Sequence, residues 1–112
     1  MPTFSQGDVV RVPFPYTDRH TRQHRPALVI SSGPVGDGGG LLWVAMITSA
    51  ANRTWTGDHL IEDMALAGLP IASVVRPTKI TTIEAHDAEP VGRLSGTTLA
   101  AVMDTIVHLL GR

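Results

Sequence analysis

In the first half of the chain lies Pro26-Ala27-Leu28-Val29-Ile30, a run in which every side chain is apolar. A strand with both faces in the protein interior shows no polar alternation, so this run predicts a central, fully buried β-strand. The glycine-rich stretch 33–40 breaks it, and a second apolar run, Leu41–Ile47, comes next. Because a short connection of this composition is typical of a turn, we expect the two runs to pair as a hairpin.

Further strands are predicted on both sides of this hairpin, at Asp8–Val12, Asp58–Ile61, Ser73–Arg76 and Lys79–Ile83. The first is rich in β-branched residues and ends where Pro13 removes a backbone donor. The last two are joined, or bulged, at Pro77, because proline cannot donate to a sheet ladder. The first two thirds of the chain therefore favour short strands.

Two helices are predicted, a short one in the middle of the chain and a longer one at its C-terminus. Glu62–Gly68 forms at most two turns, with Gly68 suited to the left-handed position at its end. A C-terminal helix is predicted from apolar residues spaced three and four apart, namely Leu99, Val102, Met103, Ile106, Leu109 and Leu110. Ser95 is its expected N-cap, and Gly111 its expected stop. The predicted fold class is α+β, mainly β: a small, twisted, partly barrel-like sheet with a C-terminal helix.

Composition limits the class of protein. The 112 residues are 43% hydrophobic and 17% charged, which predicts one globular domain spanning residues 1–112. The absence of cysteine excludes disulfides, thiolate metal sites, iron–sulfur clusters and a cysteine nucleophile. No apolar run approaches the roughly 20 residues of a membrane span, and the first residues lack signal-peptide features. We therefore expect a cytoplasmic protein with no membrane partner.

The net charge is −1, so any attraction for nucleic acid must come from a local patch. Residues 1–56 hold five Arg and three Asp, a balance of +2, whereas residues 57–112 hold four basic and seven acidic residues, a balance of −3. The most basic stretch is 19–25, with three Arg and two His in seven positions. A basic groove would have to gather Arg19, Arg22, Arg25, Arg53, Arg76 and Lys79 from separate segments of the chain.

Several kinds of site have no support in the sequence. The pair His20 and His24 has a spacing of four, but it lies in a polar loop without a set of carboxylates, which favours a solvated loop over a metal site. The glycines of 36–40 precede a strand and lack the Gly-Lys-Ser/Thr ending of a phosphate-binding loop. No Gly-x-Ser-x-Gly nucleophile elbow is present. We predict no metal and no cofactor.

Arginines and hydroxyl residues at strand ends are the remaining candidates. Arg25 precedes the central strand, and Thr48 and Ser49 end the strand that begins at Leu41. A guanidinium matches the geometry of a phosphate, and hydroxyls can bond its oxygens, so this set suits metal-free phosphoryl chemistry. The alternative from spacing alone is that Arg25 and Arg76 form surface ion pairs, while the hydroxyls only turn the chain.

A known family matches these residues in order. The matching segments are Gly7–Asp18, Arg25–Ser31, Met46–Ser49, Asp58–Ile61, Gly68–Pro70, Ser73–Ile83 and Gly92–Ser95. Over nearly the whole chain, the sequence resembles the toxins named MazF, PemK or Kid. The resemblance implies an SH3-like plasmid-maintenance barrel, a homodimer, a cognate antitoxin and metal-independent endoribonuclease activity. The RNA 2′-hydroxyl would be the nucleophile, leaving a 2′,3′-cyclic phosphate and a 5′-hydroxyl.

The resemblance also implies catalytic residues. Arg25 matches the arginine given acid–base and charge-stabilising roles, Thr48 matches a threonine that holds the scissile phosphate, and Ser49 supports it. Arg76 matches a second catalytic arginine of the Kid-like branch, but Thr78 stands where that branch has an acid. The general base is therefore open. Because an arginine pKa lies far above neutrality, stabilisation of the phosphorane suits Arg25 better than accepting a proton.

RNA contacts are predicted along the loop 14–24, whose counterpart in the family closes over RNA. The predicted RNA-binding residues are Arg19, His20, Arg22, His24, Ser49, Arg53 and Lys79, with Phe14 and Tyr16 available to stack on bases. The alternative is a solvated charged loop. Trp43 is expected in the core, and Trp55 is expected to be exposed to a base or to the antitoxin.

Three functions are consistent with these predictions. The first is a toxin that cleaves single-stranded RNA with some sequence preference and is neutralised by an antitoxin. The second is a catalytically weak family member that binds antitoxin and, only together with it, operator DNA. The third is a dimer that serves only as a binding scaffold. Cleavage of RNA by the purified protein separates the first function from the other two.

Overall fold

The computed structural model describes residues 3–13, 24–52 and 54–112. Within them, the strands are β1 (Asp8–Pro13), β2 (His24–Val29), β3 (Leu41–Ser49), β4 (His59–Leu60), β5 (Ser73–Glu84) and β6 (Glu89–Arg93). The α-helices are α1 (Met64–Ala67) and α2 (Gly96–Leu109), and short 3-10 turns lie at Asp37–Gly39 and Ala85–Asp87. No helix in the described part of the chain has the length and apolar character that crossing a bilayer requires.

The strands form one antiparallel sheet in the order β4-β5-β3-β2-β1-β6. The predicted hairpin of β2 and β3 is confirmed, with Ala27 opposite Met46 and Val29 opposite Val44. Leu28 on β2 is fully buried, as a central strand requires. The mainly-β half-barrel with a C-terminal helix matches the predicted fold class.

Two apolar cores lie on the two faces of the sheet. On one face, α2 contributes Val102 and Ile106 to a cluster that includes Val9, Leu28, Ala45 and Ile47. On the other face, a second cluster contains Phe4, Val10, Val12, Leu42, Val44 and Met46. The alternate residues of β1, β2 and β3 thus reach different cores, which explains their continuous apolar sequence.

The predicted bulge at Pro77 is confirmed. On β3 the neighbours Ala45 and Met46 pair with Ile80 and Arg76, so three residues of β5 lie between two successive pairs. Because proline offers no backbone N–H to the ladder, its insertion here disrupts few hydrogen bonds.

The predicted end of α1 at Gly68 and the predicted N-cap of α2 at Ser95 are confirmed, whereas α1 begins at Met64, two residues later than predicted. The carboxylate of Asp63 caps α1, and Gly68 ends it with a φ of 71°. A Cβ at Gly68 would collide with the backbone carbonyl of Val91, so this position requires glycine for space as well as conformation. Ser95 caps α2 by accepting a hydrogen bond from the backbone N–H of Thr98.

The structure also departs from the predictions in the exposure of several apolar side chains and in one strand. Trp43 is 52% exposed, so its expected place in the core is wrong. It shares a sheet face with Leu41 at the start of β3, and Leu41 is exposed as well. Leu109 and Leu110, expected on the apolar helix face, are 53% and 71% exposed. Strand β6 was not predicted, because Pro90 and Gly92 disfavour a strand.

Candidate active site

A cavity of about 500 Å³ opens where the start of β2 meets the end of β3. Its walls are Arg11, His24, Arg25, Pro26, Ile47, Thr48, Ser49, Asn52, Gly68, Leu69, Pro70, Ile71, Ser73 and Val91. Four of these were predicted as site residues from the sequence: His24, Arg25, Thr48 and Ser49. The structure therefore gathers the predicted guanidinium and both predicted hydroxyls around one opening.

Strand register explains why Arg25 and Thr48 meet. Ala27 pairs with Met46 in the antiparallel ladder of β2 and β3. Two residues further along each strand, the same register places Arg25 beside Thr48, on the same face because side chains alternate. On its other side, Arg25 pairs with Val12 of β1. The backbone of Arg25 is thus held by its pairing with β1.

A tight turn follows Thr48. The hydroxyl of Ser49 accepts from the backbone N–H of Ala51 at 3.2 Å, and the Ser49 carbonyl accepts from the N–H of Asn52 at 3.0 Å. The turn brings the Asn52 side-chain amide back to donate to the Thr48 hydroxyl oxygen at 2.7 Å. Asn52 was not predicted as a site residue. A serine followed three residues later by asparagine is typical of a hydrogen-bonded turn, and this pattern could have indicated it.

Arg76 occupies a different environment. Its Nε donates to Oδ1 of Asp58 at 3.1 Å and its Nη2 donates to Oδ2 at 2.9 Å, with the two side chains 8% and 2% exposed. Its guanidinium carbon lies 4.1 Å from the centre of the Trp55 ring. Arg76 is not among the cavity-lining residues. The catalytic role of Arg76 stays a prediction. The alternative, a surface ion pair, is wrong in its location, because the ion pair of Arg76 with Asp58 is buried.

The ion pair also follows from register. His59 pairs with Val75 between β4 and β5, and one step outward the same ladder sets Asp58 opposite Arg76. Hydrogen bonding from Arg76 lowers the pKa of Asp58, against the opposing effect of burial. The second carboxylate oxygen also accepts from the Trp55 backbone N–H at 2.9 Å. Trp55 is half-buried, so the expectation of an exposed ring is wrong in part.

The other predicted RNA-binding residues are dispersed or undescribed. His24 is exposed at the cavity, whereas Lys79 is half-buried in the β5 bulge and does not line it. Arg19, His20, Arg22 and Arg53, with Phe14 and Tyr16, lie outside the described residues.

A second cavity of about 760 Å³ extends the first. Its walls are Arg11, His24, His86, Asp87, Ala88, Glu89 and Pro90. Arg11 and His24 line both cavities, so the two adjoin, and together they are called the groove. Across β1 and β6, Arg11 contacts the carboxylate of Glu89 at 3.6 Å, with both side chains largely exposed.

One group of possible metal ligands occurs in the described part of the chain. Glu84, His86 and Asp87 place one ligand atom each within 4.8 Å of one another, and all three are exposed. His86 and Asp87 contact each other at 3.6 Å. Exposed acidic groups of this kind are common on protein surfaces without an ion. Of the His20 and His24 pair, only His24 is described.

Comparison with solved structures shows the same fold in known toxins. MazF from Deinococcus radiodurans has a TM-score of 0.78 at 23% identity, with 100% of both chains covered. MazE–MazF from the same organism, in form I, has a TM-score of 0.76 at 23% identity over 100% of both chains. An endoribonuclease in complex with its cognate antitoxin, from a mycobacterial species, has a TM-score of 0.73 at 17% identity, covering 96% of this chain and 95% of that one.

The sequence comparisons add a family assignment. A search of curated proteins gave no match. The family model described as PemK-like, MazF-like toxin of type II toxin–antitoxin system matches residues 5–110. That span is nearly the whole chain, and it contains every residue of the cavity. The chain belongs to the PemK-like, MazF-like toxin family of type II toxin–antitoxin systems.

Proposed function

We propose that this protein is a toxin endoribonuclease that cleaves single-stranded RNA without a metal ion or cofactor. The observation that carries the proposal is the shared cavity of Arg25 and Thr48. A fixed cation and a hydroxyl donor at one opening match the charge and hydrogen-bonding needs of a phosphate that becomes pentavalent. Because the proposed substrate is RNA, we propose that the protein acts in the cytoplasm.

In the proposed reaction the RNA supplies its own nucleophile. The 2′-oxygen bonds to the adjacent phosphorus and loses its proton, while the bond from phosphorus to the 5′-oxygen breaks and that oxygen gains a proton. The products are a 2′,3′-cyclic phosphate and a 5′-hydroxyl. Arg25 stabilises the added negative charge, and Thr48 donates to a phosphate oxygen.

Proton transfer needs a side chain that can accept and release a proton, and histidine is the usual residue for this task. We assign it to His24, because this residue lines the same cavity. Arg76 is bound by Asp58 and lies against Trp55, outside the lining of this cavity, and its catalytic role stays a prediction.

The partners are also proposed. Related structures contain an antitoxin, and this protein would bind its own cognate antitoxin and act as a homodimer. Arg11, His24 and Arg25 give the first cavity a basic lining, which the acidic side chains of an antitoxin can enter. The second candidate function, antitoxin binding with operator DNA contacted only in that complex, rests on the same groove without catalysis.

The test is cleavage of single-stranded RNA by purified protein in EDTA, with analysis of the product ends. Cyclic phosphate and 5′-hydroxyl ends support the proposal, and Arg25→Ala should abolish them while the fold is retained. Arg93→Ala is the matched control, since Arg93 is exposed and does not line the cavity. Intact RNA with retained antitoxin binding would support the second function. Cleavage only with added Mg²⁺ would contradict the proposed mechanism.

A further inference from the structure

We propose that Asn52 is a positioning residue of this site: it fixes the Thr48 hydroxyl so that its proton is directed into the cavity, toward the scissile phosphate. The inference deepens the proposed function and rests on it, because that function supplies the phosphate. Asn52 and Thr48 both line the cavity and are joined by a 2.7 Å hydrogen bond.

The direction of this bond determines what Thr48 can do. The amide nitrogen of Asn52 has only hydrogens to offer, so the Thr48 oxygen accepts. A hydroxyl also has one proton of its own, and a hydroxyl that accepts from one side keeps that proton for an acceptor on another side. Accepting a bond also polarises the hydroxyl and strengthens it as a donor.

The turn makes the arrangement specific. Its first hydrogen bond joins the Ser49 hydroxyl to Ala51, and its second joins the Ser49 carbonyl to the N–H of Asn52. The turn is also tied to the neighbouring segment by the N–H of Ala50, which donates to the Ala72 carbonyl at 2.9 Å. The Asn52 side chain thus approaches Thr48 from a backbone position held by three other bonds.

Without Asn52, the Thr48 side chain keeps its chemistry but loses its fixed direction. A threonine hydroxyl can then move among its staggered rotamers, and only one of these matches the bond to Asn52. The loss should appear in the rate of the chemical step, where the phosphate carries its largest charge, more than in RNA binding. Asn52 is exposed, so its replacement should leave the fold intact.

The experiment is a double-mutant cycle measured by single-turnover cleavage. Asn52→Ala should slow the chemical step by about five- to tenfold, the size expected for one neutral hydrogen bond, with KM within about twofold of wild type. In a Thr48→Val background the same change should alter the rate by less than about twofold, since no hydroxyl remains to orient. Thr54→Ala, an exposed change in the same segment outside the cavity, is the control and should match wild type.

Asn52→Asp sharpens the test, because a carboxylate accepts the Thr48 proton in place of donating. This variant should be at least as slow as Asn52→Ala. Equal effects of Asn52→Ala with and without the Thr48 hydroxyl, or an Asn52→Asp variant as fast as wild type, would overturn the inference.

A readout without RNA separates this inference from the proposed function. Three-bond NMR couplings to the Thr48 methyl carbon should report one χ1 rotamer in the wild-type protein and averaging in Asn52→Ala. An unchanged single rotamer in the variant would overturn the positioning role, whether or not the protein cleaves RNA. Absence of cleavage by wild type, with the rotamer change present, would instead overturn the proposed function alone.

Discussion

Replacement of Asp58 by asparagine should destabilise the protein strongly while preserving side-chain size. Asp58→Asn removes the negative charge from a pair whose side chains are 2% and 8% exposed, and it leaves the Arg76 cation buried without its counterion. Removing one partner of a buried pair typically costs about 3–5 kcal/mol. Two charge-assisted hydrogen bonds of about 1.5–3 kcal/mol each give a similar figure.

The matched control is the exposed ion pair of Arg11 and Glu89. Its charged atoms are 3.6 Å apart and its side chains are 55% and 68% exposed. Water and salt screen such a pair, so Glu89→Gln should cost less than about 1 kcal/mol. The two variants remove the same charge from pairs that differ in burial, so the contrast isolates the contribution of burial.

Urea unfolding, followed by tryptophan fluorescence at one fixed protein concentration, measures the difference. With a denaturant slope of about 1–3 kcal/mol per molar, Asp58→Asn should lower the midpoint by about 2 M. Trp55 stacks on Arg76 and so reports on the pair directly. Equal small shifts for Asp58→Asn and Glu89→Gln would refute the reasoning.

The pH dependence gives a second test of the same pair. In the folded protein the pKa of Asp58 lies below its ordinary value of 3.8, mainly because Arg76 hydrogen-bonds the carboxylate. As pH falls, Asp58 is therefore protonated in the unfolded chain before it is protonated in the folded one. The stabilisation is therefore complete above the unfolded pKa, near pH 4, and is lost as pH falls through the lower folded value. The stability difference between wild type and Asp58→Asn should be constant from pH 7 to 5 and shrink below about pH 4. A difference independent of pH down to 3 would contradict the assignment.

Further predictions concern the cavity and one glycine. Arg25→Ala should reduce cleavage by on the order of 10²-fold or more in a folded protein, and Thr48→Ala should have a smaller effect because a neutral hydroxyl donates a weaker bond; product formation over time measures both. Antitoxin at saturation should block RNA binding, and unchanged RNA affinity in that competition would place the antitoxin elsewhere. RNA affinity should fall as salt rises, because bound phosphates release counterions, which a titration in KCl detects. Gly68→Ala should lower the melting temperature, since the left-handed backbone and the Val91 carbonyl both oppose a side chain.

Local patterns were enough to predict the two strands whose ends carry Arg25 and Thr48. The apolar runs that became β2 and β3 leave few alternatives, and a glycine-rich connection between them fixes their antiparallel direction. The ends of paired strands lie together, so a guanidinium before one run and a hydroxyl after the other could be anticipated as neighbours. The wrong prediction for Trp43 also came from a local pattern. An apolar run predicts a strand, but it does not show which of its side chains are covered by the rest of the protein.

Other features depend on register or on turns, which local patterns do not reveal. Asp58 and Arg76 are 18 residues apart, and they meet only because β4 pairs with β5 in one particular register. Asn52 reaches Thr48 through a turn held by hydrogen bonds, with no hydrophobic signal in the sequence. Strand β6 pairs with β1 through a bulge between Val9 and Val10, despite a composition that disfavours strands.

The segment from Ser49 to Asp58 joins these two structural features. At its start, the serine turn fixes Asn52 against the Thr48 hydroxyl. At its end, Asp58 is bound to Arg76 by two hydrogen bonds and to the Trp55 backbone by a third. Arg76 therefore binds the end of the same segment whose beginning carries the amide partner of the Thr48 hydroxyl.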